Sequence, residues 1–186
     1  MKDDPALTAA AVAALRAGGV IAYPTEAVYG LGCDPLDQAA VTRLFALKQR
    51  PADVGVLLIA ADFDQVRRFI GPAPADAIAR VRSSWPGPHT WVLPRAADVP
   101  AWLTGAHGGI ALRVTAHPPA AALCAAFGGA LVSTSANRHG GAPLRTAAAV
   151  EAEFGRELAY ILPGDVGGLD RPTPIRDAIS GALLRA

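Results

Sequence analysis

Val56-Leu57-Leu58-Ile59-Ala60 decides the fold class. An apolar run without polar alternation reads as a strand buried on both faces, and such strands lie at the centre of sheets with helices on either side. Asp62, just beyond it, stands where a helix N-cap belongs. Working back toward the N-terminus, Asp37 caps a helix in which Val41, Leu44 and Phe45 recur at helical spacing. That helix ends near Lys48, because Pro51 disfavours a helical residue before it. Residues 20–23 read as a short buried strand stopped by Pro24, residues 25–34 as a loop, and residues 5–17 as a helix closed by Gly18-Gly19. Working forward, helices are predicted after Asp62, over residues 74–84, from Pro118 to Phe127, and from the Thr146 cap to Phe154. Strands are predicted over residues 90–94, 110–114, 131–133 and 160–162, with a hairpin over 175–185 turning at Ser180-Gly181. Strands alternate with helices and crowd late in the chain. The reading is α/β: an open, twisted, mixed sheet with flanking helices.

The bulk composition narrows the function classes. A chain of 186 residues fits one domain, and 52% apolar residues suffice for a full core. The formal net charge is +1, so nucleic-acid binding needs a local basic patch and not bulk charge. Only Lys2 and Lys48 are lysines, against fifteen arginines. No apolar run approaches the ~20 residues of a membrane span, and Met1-Lys2-Asp3-Asp4-Pro5 has no signal-peptide core. Cys33 and Cys124 share no metal-binding spacing and point to a reducing compartment. The four histidines never fall four residues apart, which argues against a structural zinc site.

Two distant segments carry the chemistry. Lys48-Gln49-Arg50-Pro51 sets two cations one residue apart at a helix end. Ser133-Thr134-Ser135-Ala136-Asn137 supplies three hydroxyls and an amide directly after a buried strand, where ligands sit in open α/β sheets. A hollow built from both has fixed positive charge and neutral hydrogen-bonding groups, which suits a polyphosphate. No G-x-x-x-x-G-K-[ST] loop occurs, and no strand leads into G-x-G-x-x-G, so any nucleotide is held by these side chains. Lys48 and Arg50 otherwise complement a helix dipole. Arg43 and Arg113 are further candidate cations. Arg113 lies in an apolar strand and needs an anion, from a protein carboxylate or from a substrate. Gly30 and Gly32 permit a tight backbone path beside a ligand. Glu26 reads as a solvated loop glutamate ahead of a magnesium ligand or base. Trp85-Pro86-Gly87-Pro88 reads as a rigid turn docking a tryptophan, and His89 is a candidate base.

Pro24-Thr25-Glu26-Ala27-Val28-Tyr29-Gly30-Leu31-Gly32, Lys48-Gln49-Arg50-Pro51, Pro86-Gly87-Pro88-His89-Thr90, Ala111-Leu112-Arg113-Val114 and Ser133-Thr134-Ser135-Ala136-Asn137 occur in the order and spacing of the YrdC/TsaC family. The chain resembles that family over nearly its whole length, including Ile175-Arg176-Asp177. The resemblance implies a YrdC-like fold with a large concave face and a single catalytic domain over residues 1–186. It implies L-threonylcarbamoyladenylate synthesis from L-threonine, bicarbonate or CO2, and ATP with Mg2+, releasing pyrophosphate. The product would serve threonylcarbamoyladenosine modification of tRNA in the cytoplasm, with partner proteins of that pathway and at most weak direct tRNA binding. It further implies that Lys48 and Arg50 are catalytic and, with Ser135 and Asn137, bind ATP. Thr25, Arg113, Ser133 and Thr173 would surround threonine. Pro174, Ile59 and Val54 depart from the family pattern. The alternatives are an RNA-binding module without turnover and another carbamoyl-transfer enzyme.

Overall fold

The computed structural model describes residues 4–51 and 54–185; the N-terminal reading above falls partly on residues 1–3, outside the described residues. Among the described residues nine strands form one sheet, in the order β7-β1-β2-β6-β3-β5-β4-β8-β9. The strands are β1 Ile21–Pro24, β2 Tyr29–Gly32, β3 Leu57–Ala60, β4 Thr90–Pro94, β5 Gly109–Val114, β6 Leu131–Ser135, β7 Tyr160–Ile161, β8 Ile175–Asp177 and β9 Leu183–Arg185. The sheet is mixed: β3 runs parallel to β5 and antiparallel to β6, and β4 is antiparallel to β5 but parallel to β8.

β3 is the central strand, and its two-sided burial is visible residue by residue. Leu58 and Ala60 enter one apolar cluster while Ile59, between them, enters the other. Alternate side chains of a strand point to opposite faces, so each face has its own core. One face is covered by α1 (Pro5–Arg16) and α6 (Pro118–Phe127), through Val12, Leu15, Leu123 and Cys124. The other receives Val41, Leu44 and Phe45 of α2 (Gln38–Lys48), Val66 of α3 (Phe63–Arg67) and Val81 of α4 (Ala75–Ser84). It also receives Leu103 of α5 (Ala101–Thr104) and Val150 and Phe154 of α7 (Ala147–Phe154).

The predicted caps form. Asp37 accepts from the Ala40 amide at 3.0 Å, Asp62 from Gln65 at 2.9 Å and Thr146 from Ala149 at 3.1 Å. Each such cap stabilises its helix by about 1 kcal/mol. α2 stops at Lys48 because Gln49 turns left-handed, at φ 52°. The C-terminal hairpin turns where expected, with Gly181 at φ 75°.

Two expectations are corrected. The segment read as a loop contains β2, which pairs with β1 through a turn closed by Thr25 N donating to Val28 O at 3.1 Å. Glycines at Gly30 and Gly32 hide this strand, since glycine is depleted in strands. Gly32 is there for close packing: a Cβ would run into the Val132 carbonyl and the Tyr23 ring. β6 does not end at Ser133 but continues to Ser135, because β2 supplies the pairing Gly30↔Ser135 and Leu31↔Thr134. The four-residue α5 was also not anticipated.

Candidate active site

α2 delivers Lys48 to the polar end of β6. Its side chain is buried, with 4% of its surface exposed. Nζ donates to the carbonyls of Ser135 at 2.5 Å and Asn137 at 2.8 Å, and stands 3.5 Å from Asn137 Oδ1. The two segments singled out in the sequence therefore meet. Burial, reinforced by Arg50, pushes the Lys48 ammonium down to about 8. The Arg50 guanidinium is half-buried, donating to Thr134 Oγ1 at 3.3 Å and Gly55 O at 2.9 Å. Burial lowers its pKa first, and the neighbouring Arg185 lowers it further.

Asn137 is used up by its own loop. Nδ2 donates to Arg138 O at 2.8 Å and Gly141 O at 2.9 Å, and Oδ1 accepts from Ser135 Oγ at 2.6 Å. An amide so engaged fixes the loop's shape rather than offering a free donor.

Arg113 projects from β5 toward the same hollow and is buried. Its partner is a protein carboxylate: Nη2 lies 3.2 Å from Glu26 Oε2. This corrects the reading of Glu26 as solvated, since Glu26 is buried and its Oε1 accepts from Thr115 Oγ1 at 2.6 Å. Arg113 Nη1 donates to Thr173 Oγ1 at 2.6 Å, and Thr173 in turn stands 3.2 Å from Thr90 Oγ1. Arg113 Nε, also buried, has no acceptor among the described residues. Thr25 Oγ1 donates to Val28 O at 2.7 Å, leaving its lone pairs to accept. Ser133 is buried in β6, beside Gly30, where a Cβ would press on the Ser133 hydroxyl.

These residues line one cavity of about 670 Å3, within the usual size range for small-molecule sites. Thr25, Lys48, Arg50, Arg113, Ser133, Ser135, Asn137 and Thr173 all border it. Four residues considered for the site, Glu26, Gly32, Arg43 and His89, do not. Arg43 donates to Gly18 O on another part of the surface, and His89 is absent from the lining. The Trp85 ring does pack against the core, and its indole donates to His89 O at 2.7 Å. Arg185, Thr134, His107 and His139 border the cavity without having been singled out. Thr134 lay inside a quoted segment; Arg185 belongs to the predicted C-terminal hairpin, but that the hairpin sets it beside the cavity depends on the pairing of β8 with β4, which no local pattern reveals.

Charge is the governing property. Lys48, Arg50, Arg113 and Arg185 face the cavity, and no carboxylate lines it among the described residues. The cations feel one another: Arg50 lowers the Lys48 pKa and Arg113 lowers that of Arg185, in each case after burial. Such a hollow favours an anion that relieves the repulsion. The donors do not fit a resident divalent cation, which takes carboxylate oxygens. No group of three or more His, Cys, Asp or Glu placed to hold a metal occurs among the described residues.

Fold and lining together define a class: an α/β protein with an open mixed sheet and a cation-lined cavity suited to an anion. Comparison with known proteins narrows this. A family model, Sua5/yciO/yrdC, described as telomere recombination, matches residues 13–186, and the chain belongs to that family. It is 57% identical over 175 residues to the threonylcarbamoyl-AMP synthase of Halorhodospira halophila, covering 94% of this chain and 92% of the relative. Among solved structures, P. abyssi Sua5 complexed with L-threonine superposes with a TM-score of 0.86 at 33% identity, covering 92% of this chain. This chain spans 50% of that Sua5 chain, about half its length. E. coli YciO matches with a TM-score of 0.86 at 27% identity, covering 98% of this chain and 89% of its own.

Proposed function

We propose that the protein is an L-threonylcarbamoyladenylate synthase acting as a single catalytic domain. The observation that carries this is the gathering of Lys48, Arg50, Arg113 and Arg185 around one cavity that no carboxylate lines among the described residues. It is supported by relatives named threonylcarbamoyl-AMP synthase at 50% identity or more, including one from Coxiella burnetii at 51% over 175 residues.

The chemistry is a problem of like charges. Threonine amine and CO2, or bicarbonate with loss of water, form a carbamate, while threonine keeps its carboxylate. This dianion must meet the α-phosphate of ATP. At low dielectric their repulsion is large, so fixed cations are required. Lys48 and Arg50 hold the phosphates, with the Ser135 hydroxyl alongside. Asn137 keeps the Ser135–Lys48 geometry fixed by spending its amide on the loop. Arg113 meets the threonine carboxylate through Nε, the donor without a partner among the described residues, and Thr173 steadies the guanidinium. Thr25 and Ser133 hydrogen-bond the amino acid. The carbamate oxygen attacks the α-phosphorus in line, the P–O bond to the β-phosphate breaks, and pyrophosphate leaves. Positioning and electrostatic stabilisation supply the acceleration, and no protein nucleophile is involved. Mg2+ would enter with ATP as part of the substrate and would offset phosphate charge there.

The product would pass to other proteins of tRNA threonylcarbamoylation in the cytoplasm. No helix among the described residues is long and apolar enough to cross a membrane. Mass spectrometry after incubation with ATP, threonine and bicarbonate tests the proposal. Threonylcarbamoyl-AMP and pyrophosphate are expected. ATP turnover with carbamoyl phosphate but not threonine, or tight salt-sensitive tRNA binding without turnover, overturns it.

A further inference from the structure

We propose that Arg138 is a positioning residue that holds the two phosphate-facing segments in register, an inference that rests on Lys48 and its β6 partners being the ATP site. α2 ends at Lys48. The last carbonyls of a helix lack intrahelical donors and need partners from elsewhere. Here the loop after β6 provides them: Arg138 Nη1 donates to Leu47 O at 3.0 Å, and the His139 amide to Lys48 O at 2.9 Å. In the opposite direction Lys48 Nζ donates to the Ser135 and Asn137 carbonyls. The helix end and the loop are thus laced reciprocally, and among the described residues Arg138 is the one side chain of the loop that reaches a backbone carbonyl of α2.

The guanidinium is held from a third direction. Nε donates to Glu153 Oε1 at 2.9 Å, and Nη2 to Glu157 Oε1 at 2.6 Å. The Arg138 guanidinium lies over the Phe154 ring, 5.0 Å from its centroid. Phe154 is buried at the end of α7, so this ring is a fixed platform. Exposed ion pairs contribute little singly, but one planar fork that engages two carboxylates, the Leu47 and Glu153 carbonyls and a ring has its geometry over-determined. Arg138 does not line the cavity. It acts from behind, tying α7, the end of α2 and the loop carrying Asn137 into one body. Without that tie a shift of about 1 Å between these segments moves Lys48 relative to Ser135, and misplacement on that scale costs catalysis up to about a hundredfold.

Arg138→Met keeps an apolar stem over Phe154 and removes the guanidinium. Steady-state pyrophosphate release is measured against ATP and against threonine, together with calorimetric ATP affinity and thermal melting. The expected result is an ATP KM and Kd raised about tenfold with the threonine KM within about twofold of wild type. A lower melting point with both KM values unchanged reduces Arg138 to a structural role and overturns the proposal. The double variant Glu153→Gln/Glu157→Gln keeps the Leu47 bond and loosens the fork; its ATP KM should rise about threefold. Should Arg138→Met fail to fold, an unchanged ATP KM in the double variant overturns the proposal instead. A wild-type protein without threonine-dependent turnover sinks the functional reading, and calorimetric ATP affinities of the same variants then decide on Arg138 alone.

Discussion

Removing the Glu26 carboxylate, as in Glu26→Ala, should destabilise the protein more than any change on its surface. Glu26 and Arg113 form an ion pair at 3.2 Å whose side chains are only 9% and 5% exposed. The substitution leaves the guanidinium buried, its Nε already without an acceptor among the described residues, and strips the Thr115 hydroxyl of its acceptor. Breaking such a pair by deleting one member costs about 3–5 kcal/mol, because the other charge stays buried without compensation. Native domains are stable by about 5–15 kcal/mol in total, so the loss takes a large share. Glu26→Gln keeps the shape and a hydrogen-bond acceptor for Thr115, and should cost less, about 1–3 kcal/mol. Urea denaturation followed by circular dichroism reads both values. Adding Arg113→Met to Glu26→Ala removes the stranded charge, so the double variant should be more stable than the sum of the single losses by about 1–3 kcal/mol. A Glu26→Ala protein within about 1 kcal/mol of wild type, or strictly additive losses, refutes the reasoning, since neither is compatible with a desolvated pair.

Lys48, buried and pushed down to about 8 from an ordinary 10.5, binds fewer protons folded than unfolded between those values. On its account stability of the ligand-free protein rises with pH from about 8 to 10.5, while ATP affinity falls above about 8 as the ammonium is lost; melting and calorimetry across that window check both signs. Cys33 and Cys124 are fully buried; burial raises the Cys33 thiol strongly and the Cys124 thiol to about 12. Neither is a thiolate near neutrality, so iodoacetamide should leave the native enzyme active, and inactivation before unfolding contradicts this. Arg113→Ala should raise the threonine KM more than the ATP KM, and the reverse pattern in initial rates removes Arg113 from the amino-acid side.

Much of the architecture was legible because it depends on local rules. Asp37, Asp62 and Thr146 cap by side-chain hydrogen bonds that need only neighbouring residues. β3 announced itself by lacking polar alternation. β2 did not, because Gly30 and Gly32 suppress the strand signal for reasons that lie across the sheet, in Val132, Ser133 and Tyr23. The same divide runs through the site. Lys48, Arg50 and the residues from Ser133 to Asn137 were marked by incongruous polarity beside apolar runs. Glu26 was misjudged because its burial comes from Arg113 and Thr115, 87 and 89 residues away in sequence. Arg185 and Arg138 carry no local signal either, since both are placed by contacts between distant segments.

The central claim is that Lys48 and its cationic neighbours hold the phosphates of ATP while the carbamate attacks. Pyrophosphate release dependent on threonine and bicarbonate, compared between wild type and a folded Lys48→Ala protein, tests it most directly. The account predicts a loss of about a hundredfold or more, the scale of one fixed electrostatic contact withdrawn from a transition state. An undiminished rate contradicts it.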